Sequence, residues 1–171
     1  MSAVQQLRAT TASDHDLVDA AFGVTDFADR EAYGRFLAAH ALALPAVEAA
    51  LESLAILPPL RPRAPLIESD LRALGLDLPA PLPFDLPRTG ASGFGAAYVI
   101  EGSRLGGGLL SRRVAPGLPA SYLSETHLPG EWRGFLAALD AAAAGDAWIA
   151  EAITAARATF DLYRRAAVAT L

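Results

Sequence analysis

The sequence predicts an all-α fold, a single helical bundle spanning residues 1–171, and three observations carry that prediction. Hydrophobic residues make up 53% of the chain, dominated by Ala and Leu rather than the β-branched residues that favour strands. Apolar residues recur at helical spacing in the long segments, most clearly at Val4, Leu7, Thr11, His15, Val18 and Phe22. Most of the 12 prolines fall between such segments and divide them, with no internal repeat and no domain linker. A chain of 171 residues is long enough to bury a substantial core.

The elements follow in order. A first helix is expected from Ser2 to Phe22, with His15 in the middle of its apolar face. A second lies within "VTDFADREAYGRFLAAHALALPAVEAALESL", started by Asp26 or Asp29. Tyr33, Phe36, Leu37, His40, Leu44, Val47 and Leu51 line one side of it, and Pro45 predicts a kink or break. "PPLRPRAP" reads as a rigid connector, and "LIESDLRALG" as a short helix ended by Gly75. The proline-rich run from Leu76 to Gly90 is an extended crossing. A helix over Ser92–Val114 follows, then a loop or broken helix, then two final helices in "EWRGFLAALDAAA" and "GDAWIAEAITAARATFDLYRRAAVA".

Charge and composition exclude several functions. The formal net charge of −5 offers no basic field for nucleic acid. All 14 basic residues are arginine, and there is no cysteine, so disulfides, thiolate zinc sites and cysteine nucleophiles are excluded. The start lacks the cationic and apolar regions of a signal peptide, and no uninterrupted apolar run reaches membrane-span length. A cytoplasmic protein with no membrane partner is the expectation.

"YVIEGSRLGGGLLSRR" carries Gly102, Gly106, Gly107 and Gly108 inside a helical pattern. A phosphate loop needs a lysine the chain lacks, and a dinucleotide fingerprint needs a preceding strand. Gly102 and Gly106, four residues apart, share a face with Val99, Ser103 and Leu110, whereas Tyr98, Leu105 and Leu109 point elsewhere for core packing. Helical glycine costs roughly 1 kcal/mol against alanine, so the bare flank needs a use. Two uses stand open: close packing of a neighbouring helix, or a flat ligand laid against the backbone.

Of the three histidines, His127 lies in a proline-flanked loop and is expected to be exposed. His15 and His40 sit on apolar faces, where a buried, hydrogen-bonded histidine is the ordinary reading. A lone histidine makes a poor zinc site but suffices as an axial haem ligand. A planar porphyrin would then need a thin wall on its other side, which joins His15 to the glycine flank.

"LRATTASDHDLVD" (Leu7 to Asp19) resembles the proximal-helix motif of haem oxygenases. "YVIEGSRLGGGLL" (Tyr98 to Leu110) resembles the distal helix of the bacterial, bacteriophytochrome-associated members. "YGRFLAAHALALPAVEAAL" and "EWRGFLAAL" fall in the expected order. The resemblance implies a single-domain haem-oxygenase-like bundle in which His15 ligates the iron. Gly102, Gly106 and Gly107 would form the distal wall, and Arg8 and Arg133 would bind the haem propionates. It departs from the well-studied members at Ser103, where they carry an aspartate that orders the proton-donating water. The activity it implies is oxidative cleavage of haem to biliverdin, iron and carbon monoxide. Electrons would come from an external ferredoxin or reductase, and a bacteriophytochrome could receive the product. A non-catalytic haem or tetrapyrrole carrier and a helical interaction module are the alternatives.

Overall fold

The computed structural model describes residues 1–54 and 57–171. Helix α1 spans Ala3–Thr10 and opens on a capping box, in which Ser2 and Gln5 satisfy each other's amides. Helix α2 spans Ala12–Phe22. The single helix expected over Ser2–Phe22 is therefore broken, and Thr11 (φ −102°, ψ 6°) is the break. Its hydroxyl donates to the Leu7 carbonyl at 2.8 Å, and its amide donates to the same oxygen at 3.0 Å. Such back-bonding by threonine competes with the helical ladder.

Helix α3 spans Arg30–Glu52, with Asp29 accepting the Ala32 amide as its cap; Asp26 instead takes the Ala28 amide just upstream. The helix runs unbroken through Pro45, against the sequence expectation of a kink or break there. Proline removes one amide from the ladder, whereas ten residues of this helix are buried along its length. The neighbouring Leu42 carbonyl also accepts the Leu82 amide at 2.8 Å from the extended crossing. By length and composition α3 could span a bilayer, but its apolar face lies in the protein core.

Helix α4 (Ala64–Ala73) starts with proline in its first turn and is followed by Gly75 at φ +71°, the left-handed stop its sequence called for. Residues 76–87 form the extended crossing, with Leu82, Phe84 and Leu86 laid on the core. Helix α5 (Gly90–Leu110) is capped by Thr89 and tightens into a 3₁₀ turn, Ser111–Arg113. The short α6 (Ser121–Ser124), α7 (Glu131–Ala142) and α8 (Asp146–Thr170) complete the chain.

The axis of the bundle is α8, which packs most extensively on α5 and also on α3 and α2. At the α5–α8 crossing a Cβ on Gly95 would collide with the Ala152 carbonyl. This glycine makes the close helix approach that small residues permit. The core runs along the α3, α5 and α8 faces, through Phe36, Leu44, Ala96 and Leu162.

Candidate functional site

Beside α8, residues from α1, α2, α3 and α5 line a cavity of about 520 Å³. The α1–α2 segment contributes Val4, Thr11, His15, Val18 and Phe22 of the stripe read from the sequence, without Leu7, together with Arg8, Ala12, Asp16 and Asp19. The His15 side chain is 60% exposed and opens onto this space. Its Nδ1 lies 3.4 Å from Asp19 Oδ2 and 3.8 Å from Asp16 Oδ1, and Phe160 meets its ring edge-on at 6.2 Å.

Helix α5 contributes Tyr98, Val99, Gly102, Ser103, Gly106 and Gly107 to the same cavity. A Cβ at Gly106 would meet nothing within 4 Å, and one at Gly102 only the Trp132 ring at 3.8 Å. Gly107 and Gly108 behave otherwise. A Cβ on Gly107 would press the Leu123 carbonyl at 3.2 Å, and one on Gly108 the Thr126 methyl at 2.8 Å. The two uses left open by the sequence therefore coexist: Gly102 and Gly106 leave room for a ligand, while Gly107 and Gly108 admit the 121–126 segment. Leu105 and Leu109 are not in the core as expected but 52% and 65% exposed, Leu105 lining the cavity alongside the glycines.

Behind Ser103 sits a residue that sequence reasoning passed over. Arg63, in the proline-rich connector, is buried and donates from Nη2 to the Ile100 carbonyl and, at 2.8 Å, to Ser103 Oγ. Its guanidinium lies 5.3 Å from the centre of the Tyr122 ring. Glu48 on α3 holds the connector in place by accepting the Arg63 and Ala64 amides at 2.7 and 3.0 Å. A Pro-flanked arginine carries no local signal of burial. Only the packing of the connector between α3 and α5 gives it one.

His40 also departs from the sequence reading. Both ring nitrogens are buried without a hydrogen-bond partner, whereas a satisfied core histidine was expected. The ring stacks on Phe22 at 4.6 Å and meets Phe36 edge-on at 4.2 Å, so aromatic neighbours occupy the places where acceptors would sit. Burial, and then the Arg63 charge, pushes its pKa down to about 3. The Tyr163 hydroxyl is likewise buried and unpartnered, and burial raises its pKa. Both residues line the cavity.

His127 is not exposed as predicted, since its side chain is only 7% accessible. Its Nε2 lies 3.1 Å from Glu101 Oε2, and its ring stacks on Trp132 at 5.4 Å. Burial lowers its pKa, with the Glu101 carboxylate opposing the shift. Arg104 Nε donates to the same Glu101 oxygen at 3.0 Å, and Arg104 Nη2 reaches the Arg61 carbonyl. Arg61 in turn pairs with Glu131 at 2.8 Å and with Glu125. The pull of Glu101 draws the loop onto the back of α5. Arg133 lies exposed beside Gly130 and is not part of the cavity lining, unlike Arg8. No cluster of three metal-ligating side chains occurs among the described residues, so an iron here would rely on the single imidazole.

No family model matches the chain. A curated haem oxygenase of Xanthomonas campestris pv. campestris is 38% identical over 107 residues. That match covers 58% of this chain and 64% of the Xanthomonas protein, so the chain spans somewhat less than two thirds of that relative. The crystal structure of NO- and CO-bound haem oxygenase from Neisseria meningitidis superposes with a TM-score of 0.83 at 28% identity. It matches over 99% of this chain and 92% of its own. The chain is thus similar in sequence and in fold to bacterial haem oxygenases. Its all-helical bundle matches the fold of the Neisseria haem oxygenase, the fold that the two helix motifs implied.

Proposed function

We propose that this protein is a haem oxygenase that binds haem between α2 and α5 and opens it oxidatively to biliverdin, releasing iron and carbon monoxide. One observation carries the reading: His15 and the unobstructed Gly102–Gly106 backbone line the same cavity from different helices. The residues present fit a flat macrocycle. Side chains at Gly102 and Gly106 would project into the space, and none is there. His15 leaves its Nε2 for a ligand, since its Nδ1 is turned toward the carboxylates of Asp19 and Asp16.

Haem, when bound, supplies the iron and oxygen chemistry itself, with electrons from an external ferredoxin or reductase. The chain's residues bind, orient and hydrate it. Arg8 at the cavity rim is assigned one propionate, which a guanidinium holds bidentately. Arg133 is assigned the second, and its side chain must leave Gly130 to reach it. On the glycine side, Ser103 donates to the Ile100 carbonyl at 2.6 Å and accepts from Arg63. Its hydroxyl is thereby fixed in direction. Ser103 Oγ, with a lone pair still free, holds water where the usual aspartate would hold it. The phytochrome-like distal helix motif supports delivery of biliverdin to a bacteriophytochrome.

A haem carrier is the second reading, favoured by the absence of a carboxylate at Ser103. Haem titration followed by reduction in air separates the two. A Soret complex that turns over to a biliverdin spectrum with ascorbate or reduced ferredoxin is expected. A complex that survives reduction in oxygen supports the carrier, and no Soret complex at all overturns both. Within the same experiment His15→Ala loses the imidazole-ligated spectrum and His40→Ala keeps it.

A further inference from the structure

The haem-facing stripe lies on two helices, and the joint between them is held by a residue outside the cavity. Thr11 interrupts the ladder between α1 and α2, which resumes with the His15 amide on the Thr11 carbonyl at 3.0 Å. The carbonyl just before the break, on Thr10, accepts Arg157 Nη2 at 3.2 Å from α8. The same guanidinium donates from Nε to Asp14 Oδ2 at 3.3 Å, on the residue preceding His15. One turn further along α8, Phe160 meets the His15 ring edge-on, with planes at 83°. A planar fork can bridge a carbonyl and a carboxylate together, which a point charge cannot.

Helix α8 thus grips the His15 segment twice, at the backbone joint through Arg157 and at the ring through Phe160. A free joint at Thr11 lets α2 rotate about the chain, and each degree of rotation swings the His15 ring within a cavity open on that side. From this geometry we infer that Arg157 is a positioning residue: by closing the α1–α2 joint it sets the orientation in which His15 presents its nitrogen to the haem iron. The inference rests on the reading of His15 as the ligand. Asp14 is its partner in this role, and neither side chain lines the cavity.

The test uses the full chain loaded with haem, comparing Arg157→Ala, Arg157→Lys, Asp14→Asn and His15→Ala. The readout is the iron–imidazole stretching band of the ferrous protein by resonance Raman, alongside the rate of haem transfer to apomyoglobin. Arg157→Ala is expected to broaden or shift the band and to speed haem loss about threefold to fivefold, the scale of a half-exposed charged contact. Asp14→Asn keeps the carbonyl contact and gives a smaller change in the same direction. Arg157→Lys restores the band in part, since it keeps the charge opposite Asp14 and loses the fork. A band in Arg157→Ala with wild-type position and width, while His15→Ala abolishes it, overturns this inference alone. A band that survives in His15→Ala overturns the ligand reading and the inference with it.

Discussion

The two helical walls of the cavity are built on opposite principles. The α2 wall is thin and exposed, with a largely exposed histidine flanked by Asp14, Asp16 and Asp19 and joined to α1 across a break. The α5 wall is backed by buried charge: Glu101, Arg104 and Arg63 lie almost fully inside, tied to the connector and to the loop that carries His127. The glycine-rich stretch of α5 from Gly102 to Gly108 has little side-chain packing of its own to hold its course. The ionic cluster behind it supplies that rigidity, while the α2 wall stays free to receive a ligand. The roles proposed for α5 and α2 therefore draw on different parts of the fold.

Substitutions on each wall break or sharpen that contrast. The largest effect belongs to Arg104→Leu, which takes the buried guanidinium from the Glu101 carboxylate and leaves it only the His127 ring. A loss of about 3–5 kcal/mol is expected from urea unfolding of the apoprotein. If Arg104→Leu unfolds at the wild-type urea concentration, the α5 wall does not depend on buried charge. Next comes Gly95→Ala, whose methyl has no room against the Ala152 carbonyl and costs about 2–3 kcal/mol by the same measurement.

His40 contributes through pH. Its native pKa of about 3 lies below the unfolded value near 6.5, so the unfolded chain binds more protons in between. Its contribution to stability is complete above pH 6.5 and is lost as pH falls toward 3. Between pH 6.5 and 5 the loss is about 2 kcal/mol. His40→Leu removes that slope, which thermal or urea melts across this range measure directly.

Smaller effects fall on the ligand-facing surface. Gly106→Ala gains helix propensity of up to about 1 kcal/mol in the apoprotein, yet weakens haem binding in a titration because the methyl enters the cavity. A Gly106→Ala protein that binds haem at wild-type strength removes the flat-ligand use of this face. His15→Ala changes apoprotein stability by less than about 0.5 kcal/mol, as its side chain is largely exposed, while it removes the imidazole-ligated spectrum. Together Gly106 and His15 separate binding from folding, whereas Arg104 and Gly95 do not.

The order of helices, the Gly75 stop and the extended proline crossing were readable from the sequence, as was a cap at Asp26 or Asp29, because each rests on local backbone chemistry. The sharing of one cavity by His15 and the Gly102–Gly106 face was suggested by periodicity, since residues on one face of a helix need only a correct wheel. What periodicity cannot supply is the neighbour. It left two uses for the glycines, expected Leu105 and Leu109 inside, placed His127 in solvent and satisfied His40 with a hydrogen bond. Each outcome depended on which segment packs opposite: α6 against Gly107, open space beside Leu105, Glu101 against His127, and rings around His40. Local propensity and spacing thus determined the helices and the stripe that faces the cavity. Only the tertiary structure decided where charge is buried, as it brought Arg63 to Ser103 and Arg157 to the α1–α2 joint. Contacts across 40 and 143 positions of chain leave no periodic trace in the sequence that makes them.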